Sequence, residues 1–133
     1  MREIKFRGRT NEFSSPSWVY GDLICDCTDE PRIMTDYHDC YDPVTWTVDP
    51  ATVGQYIGAP DSKDNEIYEG DIVKFGDCVA EVAYNAKFAS FGLYAKGWAF
   101  MHYFGEACNA DQCEVIGNIH DNPNLLEADD ARD

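Results

Sequence analysis

Between Glu66 and Phe75 the chain reads Glu-Ile-Tyr-Glu-Gly-Asp-Ile-Val-Lys-Phe. No other stretch restricts the possible folds as much. Alternate side chains of an extended segment point to opposite faces, which lets Ile67 face inward between polar neighbours. Gly70 interrupts the alternation, and a residue without a β-carbon can take the positive φ that a sharp turn demands. Asp71 to Phe75 then resumes in β-branched and aromatic residues, the composition of a strand. Ahead of this stands Pro60 and the run Asp61-Ser62-Lys63-Asp64-Asn65, whose side chains hydrogen-bond their own backbone and end strands. Asn65 holds the position where a tight turn accepts Gly or Asn. Strand, glycine turn and strand in succession predict a β-rich domain that bends sharply, as at the rim of a small barrel.

The same pattern runs through the rest of the chain. Ile4, Phe6 and Gly8 alternate with Lys5, Arg7 and Arg9, which predicts a strand with one apolar and one cationic face. The cationic face is expected to be solvated, its exposed ion pairs worth little. Trp18 to Ile24 reads as a second strand paired with the first, with Gly21 at a bulge or a close backbone approach. Trp18 and Tyr20 share a face. An aromatic pair can stack on a ligand, but core packing is the expected role, since no cations surround the pair in the sequence. Thr45 to Val48 is a short strand, and Asp49-Pro50 opens one helical turn with Asp49 as its N-cap.

Further on, Val79 to Tyr84, Phe91 to Ala95 and Trp98 to Tyr103 are strands, joined by Asn85 to Ser90 and by a tight turn at Lys96-Gly97. Phe88, Phe91, Tyr94, Trp98, Phe100, Tyr103 and Phe104 concentrate here. Such density can line a groove, but filling a barrel core is the expected role. Cys113 to Ile119 closes the sheet, and Asn122-Pro123 starts a helical turn that sets Leu125 and Leu126 over the barrel end.

Charge narrows the partners. The chain of 133 residues has a formal net charge of −15, which repels nucleic-acid phosphates and anionic membranes and suits basic proteins. Acids crowd residues 22–49 and the extreme C-terminus, whereas residues 1–9 are basic. Met1-Arg2-Glu3 leads into a strand instead of an apolar leader, and no apolar run approaches the ~20 residues of a membrane helix. The expected location is the cytoplasm, with the six cysteines as reduced thiols.

Reaction chemistry has no legible motif. There is no phosphate-binding glycine loop with its lysine, no nucleophile elbow and no His-Glu-x-x-His. His38, His102 and His120 are far apart in sequence. Cys25, Cys27, His38 and Cys40 supply four soft ligands of the kind zinc takes, although not at the Cys-x2-Cys spacing of common zinc modules. Asp36, Asp39 and Asp42 lack the spacing and the glycine of a calcium loop. No cofactor is expected.

Larger pieces carry a resemblance. Thr52-Val53-Gly54-Gln55-Tyr56-Ile57-Gly58, the acidic turn after it and Ile67-Tyr68-Glu69-Gly70-Asp71-Ile72-Val73 together resemble the signature of the YopX family of phage and prophage proteins. Ile4-Lys5-Phe6-Arg7-Gly8, Trp18-Val19-Tyr20-Gly21-Asp22-Leu23 and Val115-Ile116-Gly117-Asn118-Ile119 with Asn122-Pro123 resemble the family's other motifs. Ile57 stands where the family's pattern has Thr, and Asn65 where it has a turn Gly. The resemblance implies a mostly β fold with an SH3-like barrel in the C-terminal half, and it implies no activity.

The expected architecture is an N-terminal β-hairpin subdomain over residues 1–50, a barrel over 51–126, one or two short helical turns, and a frayed acidic tail at 127–133. The expected function is that of a non-catalytic interaction module, binding a protein or a second copy of itself. Trp18, Tyr20, Tyr56, Tyr68, Glu69 and Asp71 are the candidate binding residues. The competing expectation is an acidic decoy that occupies a host nucleic-acid-binding protein.

Overall fold

A computed structural model describes residues 2–25, 30–35 and 44–126. The chain divides into two compact units, Met1–Tyr56 and Ile57–Asp133.

In the first unit β1 (Phe6–Thr10) and β2 (Ser17–Ile24) form the expected antiparallel hairpin, with Gly8 opposite Val19 and Arg9 opposite Trp18. β3 (Arg32–Thr35) and β4 (Val44–Thr47) extend it on one side, and the start of β5 (Gly54–Pro60) pairs with β1 on the other. Val19, Ile33 and Val48 form the core, with Phe6, Leu23, Trp46 and Val53 packed around them. Two glycines are required by contact. A β-carbon on Gly8 would lie 2.8 Å from Val48 Cβ, and one on Gly21 would collide with the Met34 carbonyl oxygen. Pro50–Thr52 forms a 3-10 turn in which the Asp49 side chain accepts from Ala51 N at 3.0 Å, as the capping residues predict. Thr52 ties this turn to β1, its hydroxyl accepting from Arg9 N at 2.8 Å.

The cationic face of β1 departs from expectation. Arg7 is buried, and the guanidinium groups of Arg7 and Arg9 lie over the Trp18 ring at 4.6 and 5.2 Å. Antiparallel register is the reason: Arg7 faces Tyr20 and Arg9 faces Trp18 across the hairpin, so the cations find aromatic faces instead of bulk water. Trp18 and Tyr20 therefore stand on the side away from Val19, and the core role expected of them belongs to Val19.

In the second unit β6 (Glu66–Tyr68) follows β5, and an antiparallel sheet is then built from β7 (Asp71–Phe75), β8 (Cys78–Asn85), β9 (Ser90–Tyr94), β10 (His102–Tyr103) and β11 (Cys113–Asn118). Its order is β10-β9-β8-β7-β11. Gly70 has φ 95°, and both its backbone groups are used: its N–H donates to Val82 O at 2.8 Å and its carbonyl accepts from Ile119 N at 2.9 Å. In the Asp61–Asn65 turn the positive φ falls on Asp64 (65°), one residue before the expected Asn65. Ile67, Val73, Ala80, Val82 and Leu93 form the core with the buried thiols Cys108 and Cys113.

The expected barrel does not close among the described residues; the sheet is open, and each of its edges is covered locally. Beside β10, Phe104 bridges to Cys108, whose thiol donates to His102 O at 3.4 Å. Beside β11, Ser62 N donates to Cys113 O and Val115 N donates to an Asp61 carboxylate oxygen, both at 2.8 Å. The tight turn expected at Lys96-Gly97 forms, Trp98 N donating to Ala95 O at 3.0 Å, but the strand expected from Trp98 begins only at His102, opposite Leu93. A 3-10 turn at Ala110–Gln112 leads into β11, and residues 124–126 form a helical turn. Leu125 packs over Gly117, where a β-carbon would lie 2.8 Å from Leu125 Cδ1 and 2.6 Å from Asn122 Oδ1. No helix among the described residues is long and apolar enough to cross a membrane.

Candidate functional site

Alternation along β9 decides which aromatic rings enter the core. Leu93 points in and is fully buried, so its neighbour Tyr94 points out and is 44% exposed. Phe88 lies in the turn between β8 and β9 and Phe100 in the long connection before β10; they are 59% and 81% exposed. Of the seven aromatic residues expected to fill a core, Trp98 and Phe104 do pack against it, while Phe88, Tyr94 and Phe100 face outward.

These outward rings border a cleft of about 540 Å³, completed by Asn85, Met101, Tyr103 and Glu106. Gly92 lets β10 carry Tyr103 alongside β9: a β-carbon there would sit 2.8 Å from His102 O and 3.2 Å from Tyr103 Cα. Phe88 meets Tyr103 edge-on at 5.6 Å between ring centres. The Asn85 amide donates to the Tyr103 hydroxyl at 3.0 Å, while Asn85 Oδ1 accepts from Lys87 N at 3.0 Å. The β8–β9 turn is thus locked by the residue that also orients Tyr103. His102, next to Tyr103 on β10, stacks on Trp98 at 4.0 Å.

The candidate binding residues named from sequence lie elsewhere. Tyr20 is exposed and Trp18 half-buried beneath its arginines; Tyr56 is 8% exposed, with Lys5 Nζ 5.8 Å from its ring centre. Tyr68 and Asp71, each 2% exposed, are joined to one another, Tyr68 N donating to Asp71 Oδ2 at 2.7 Å. The Tyr68 hydroxyl donates to Glu66 at 2.9 Å. Asp71 therefore closes the Gly70 turn. Glu69 is half-buried, and its charge adds to burial in holding the Glu81 carboxyl above its ordinary value.

Of the expected metal ligands Cys25 is exposed, while Cys27, His38 and Cys40 lie outside the described residues, as do Asp36, Asp39 and Asp42. Among the described residues no group of three or more His, Cys, Asp and Glu side chains is placed to hold a metal. Cys25, Cys78, Cys108 and Cys113 are free thiols. Burial, with the charges of Cys108, Asp61 and Asp111 added, pushes the Cys113 thiol up to about 11.

The motif residues share one character: Gly8 and Gly21 permit close contacts, Gly70 and Asp71 make a turn, and Gly117, Asn118 and Asn122 close the chain. Asn118 accepts from His120 N and Asp121 N at 3.0 and 2.9 Å, and Asn122 Oδ1 accepts from Asn118 N at 3.3 Å. These residues specify a fold. What the fold presents is an aromatic cleft on a small, mostly β protein of two antiparallel sheets. The chain belongs to the YopX protein family, whose pattern it matches over residues 5–127. No curated protein matches it.

Proposed function

We propose that the protein is a non-catalytic interaction module of phage or prophage origin, acting in the cytoplasm and docking a protein partner in the aromatic cleft. One observation carries this reading: Phe88, Tyr94 and Phe100 are 59%, 44% and 81% exposed around a single concavity. Grouped exposed rings on a small protein mark an interaction surface more often than chance. Backbone groups on both edges of the second sheet are already bonded by its own chain, which favours the cleft over edge pairing on this sheet as the docking mode. The finer reading of this unit as an SH3-like half-barrel rests on its order: four strands in meander, a 3-10 turn, and a fifth strand returned to the first.

The test is affinity capture from host lysate with the native chain and with Phe100→Asp, which leaves the core untouched. A partner that the native chain retains and the variant loses is the expected result. Identical captures would refute the reading. The acidic-decoy alternative rests on the net charge of −15; it predicts host DNA- or RNA-binding proteins captured at low salt by both forms. Light scattering separates a second copy from another protein as the partner.

A further inference from the structure

The chemistry of the cleft restricts its occupant, given the docking reading above. We infer that it takes an extended, proline-rich segment carrying a basic residue, with that residue at Glu106.

Three features lead there. The first is what the cleft lacks. A peptide that adds a strand needs a free sheet edge, but the edge at β10 is two residues long, and both its carbonyls are taken by the chain that follows: Cys108 Sγ donates to His102 O, and Glu106 N and Ala107 N donate to Tyr103 O. An amphipathic helix needs a long groove with anchors a turn or more apart; the cleft here is about 540 Å³.

The second is what it offers. Rings of Phe88, Tyr94, Phe100 and Tyr103 give flat apolar faces. The Tyr103 hydroxyl already accepts from Asn85, which leaves its own proton to donate, and that proton has no acceptor among the described residues. A polyproline II segment has the complementary needs. It makes no internal hydrogen bonds, it presents carbonyls that need donors, its prolines bring no N–H, and its rings pack on aromatic faces. Its stiffness also lowers the entropy lost on binding.

The third is charge. Glu106 lies on the cleft and is exposed, with no ion-pair partner among the described residues. Lys87 stands at the Phe88 end, its Nζ 5.7 Å from the ring centre. A basic side chain is attracted to the exposed Glu106 carboxylate on the cleft. The net charge of −15 reinforces the choice of a cation.

The experiment titrates the isotope-labelled full chain with synthetic peptides followed by NMR. The probes are Pro-Pro-Leu-Pro-Pro-Ala-Lys, the same peptide ending in Glu, and a Gly-Ser peptide ending in Lys. The Lys proline peptide is expected to shift the Phe88, Tyr94, Phe100 and Tyr103 resonances, and to bind about two- to fivefold tighter than its Glu counterpart, the weight of an exposed ion pair. Phe100→Ala abolishes the shifts. Glu106→Gln erases the preference for Lys over Glu while both proline peptides still bind.

Equal binding of the Gly-Ser peptide, or no shift with proline peptides up to ~1 mM, a free energy too weak for recognition, overturns the inference. In that event the docking reading still stands if Phe100→Asp strips a partner from the lysate capture, and falls with it if the capture is unchanged.

Discussion

Asp61→Asn removes one negative charge and leaves the shape of the side chain intact, so it isolates what that carboxylate does. Asp61 is 5% exposed. One oxygen accepts from Lys63 N and Asn65 N at 2.9 and 2.8 Å; the other accepts from Val115 N at 2.8 Å and Asn65 Nδ2 at 3.4 Å. An amide has an acceptor on one side only. In either orientation an NH2 group meets a backbone N–H head-on. Hydrogen bonds to a charged group contribute about 1.5–3 kcal/mol each and an unsatisfied buried donor costs about 1–3, while turn donors that reach water recover part of this, so the expected loss is about 2–4 kcal/mol.

Burial alone would raise the Asp61 pKa, but the bonds from Val115, Asn65 and Lys63 outweigh it and hold the group below its ordinary 3.8. A carboxyl whose folded pKa is depressed stabilises fully above its unfolded value, and that contribution disappears as pH falls through the folded value. Urea unfolding followed by tryptophan fluorescence at pH 7 is expected to show a midpoint lower by about 1–2 M at ordinary slopes. The gap between native and variant chains narrows on acidification below pH 3.8. A difference under about 0.5 kcal/mol at pH 7, the size of an ordinary surface change, would falsify the role given to this residue.

Other outcomes can be stated as directly. Gly92→Ala pushes a β-carbon against the His102 carbonyl at 2.8 Å and is expected to cost about 1–3 kcal/mol in denaturant unfolding, with the Tyr103 resonances displaced. Leu93→Ala opens a cavity in a fully buried site and costs about 2–5 kcal/mol, whereas Phe100→Ala, at 81% exposure, changes stability by no more than about 0.5 kcal/mol. Equal effects of these two would contradict the placement of Leu93 inside and Phe100 outside. Cys25 is exposed and Cys113 buried, with its thiol pushed up to about 11; a thiol reagent at pH 8 followed by peptide mass mapping should label Cys25 rapidly and Cys113 only on unfolding.

How much of this was legible in the sequence depended on whether the cause was local. Gly70 and the strand after it were readable because the turn and the β-branched run sit within a few residues. So was the Asp49 cap, which needs only its own side chain and the next turn. The period of two correctly put Arg7 and Arg9 on one face, but what opposes that face is set by register with β2, and no local pattern encodes register. Asp61 looked like one more turn former because its decisive partner, Val115, is far along the chain. The aromatic cleft was half visible. Ring density marked the region, but composition does not say whether a ring in a connection points in or out, and both Phe88 and Phe100 lie in connections. Alternation within β9, Leu93 in and Tyr94 out, was the signal that sets the orientation.

The return of β11 to β7 has a consequence for synthesis. Within the second sheet the strand that shields Ile72 and Val73 is made last, and until it arrives an apolar edge with unsatisfied amides is open to any neighbouring nascent chain. The product of a message truncated just before Cys113 would carry that naked edge together with a charged Asp61 stripped of Val115. Such a fragment is a nucleus for aggregation.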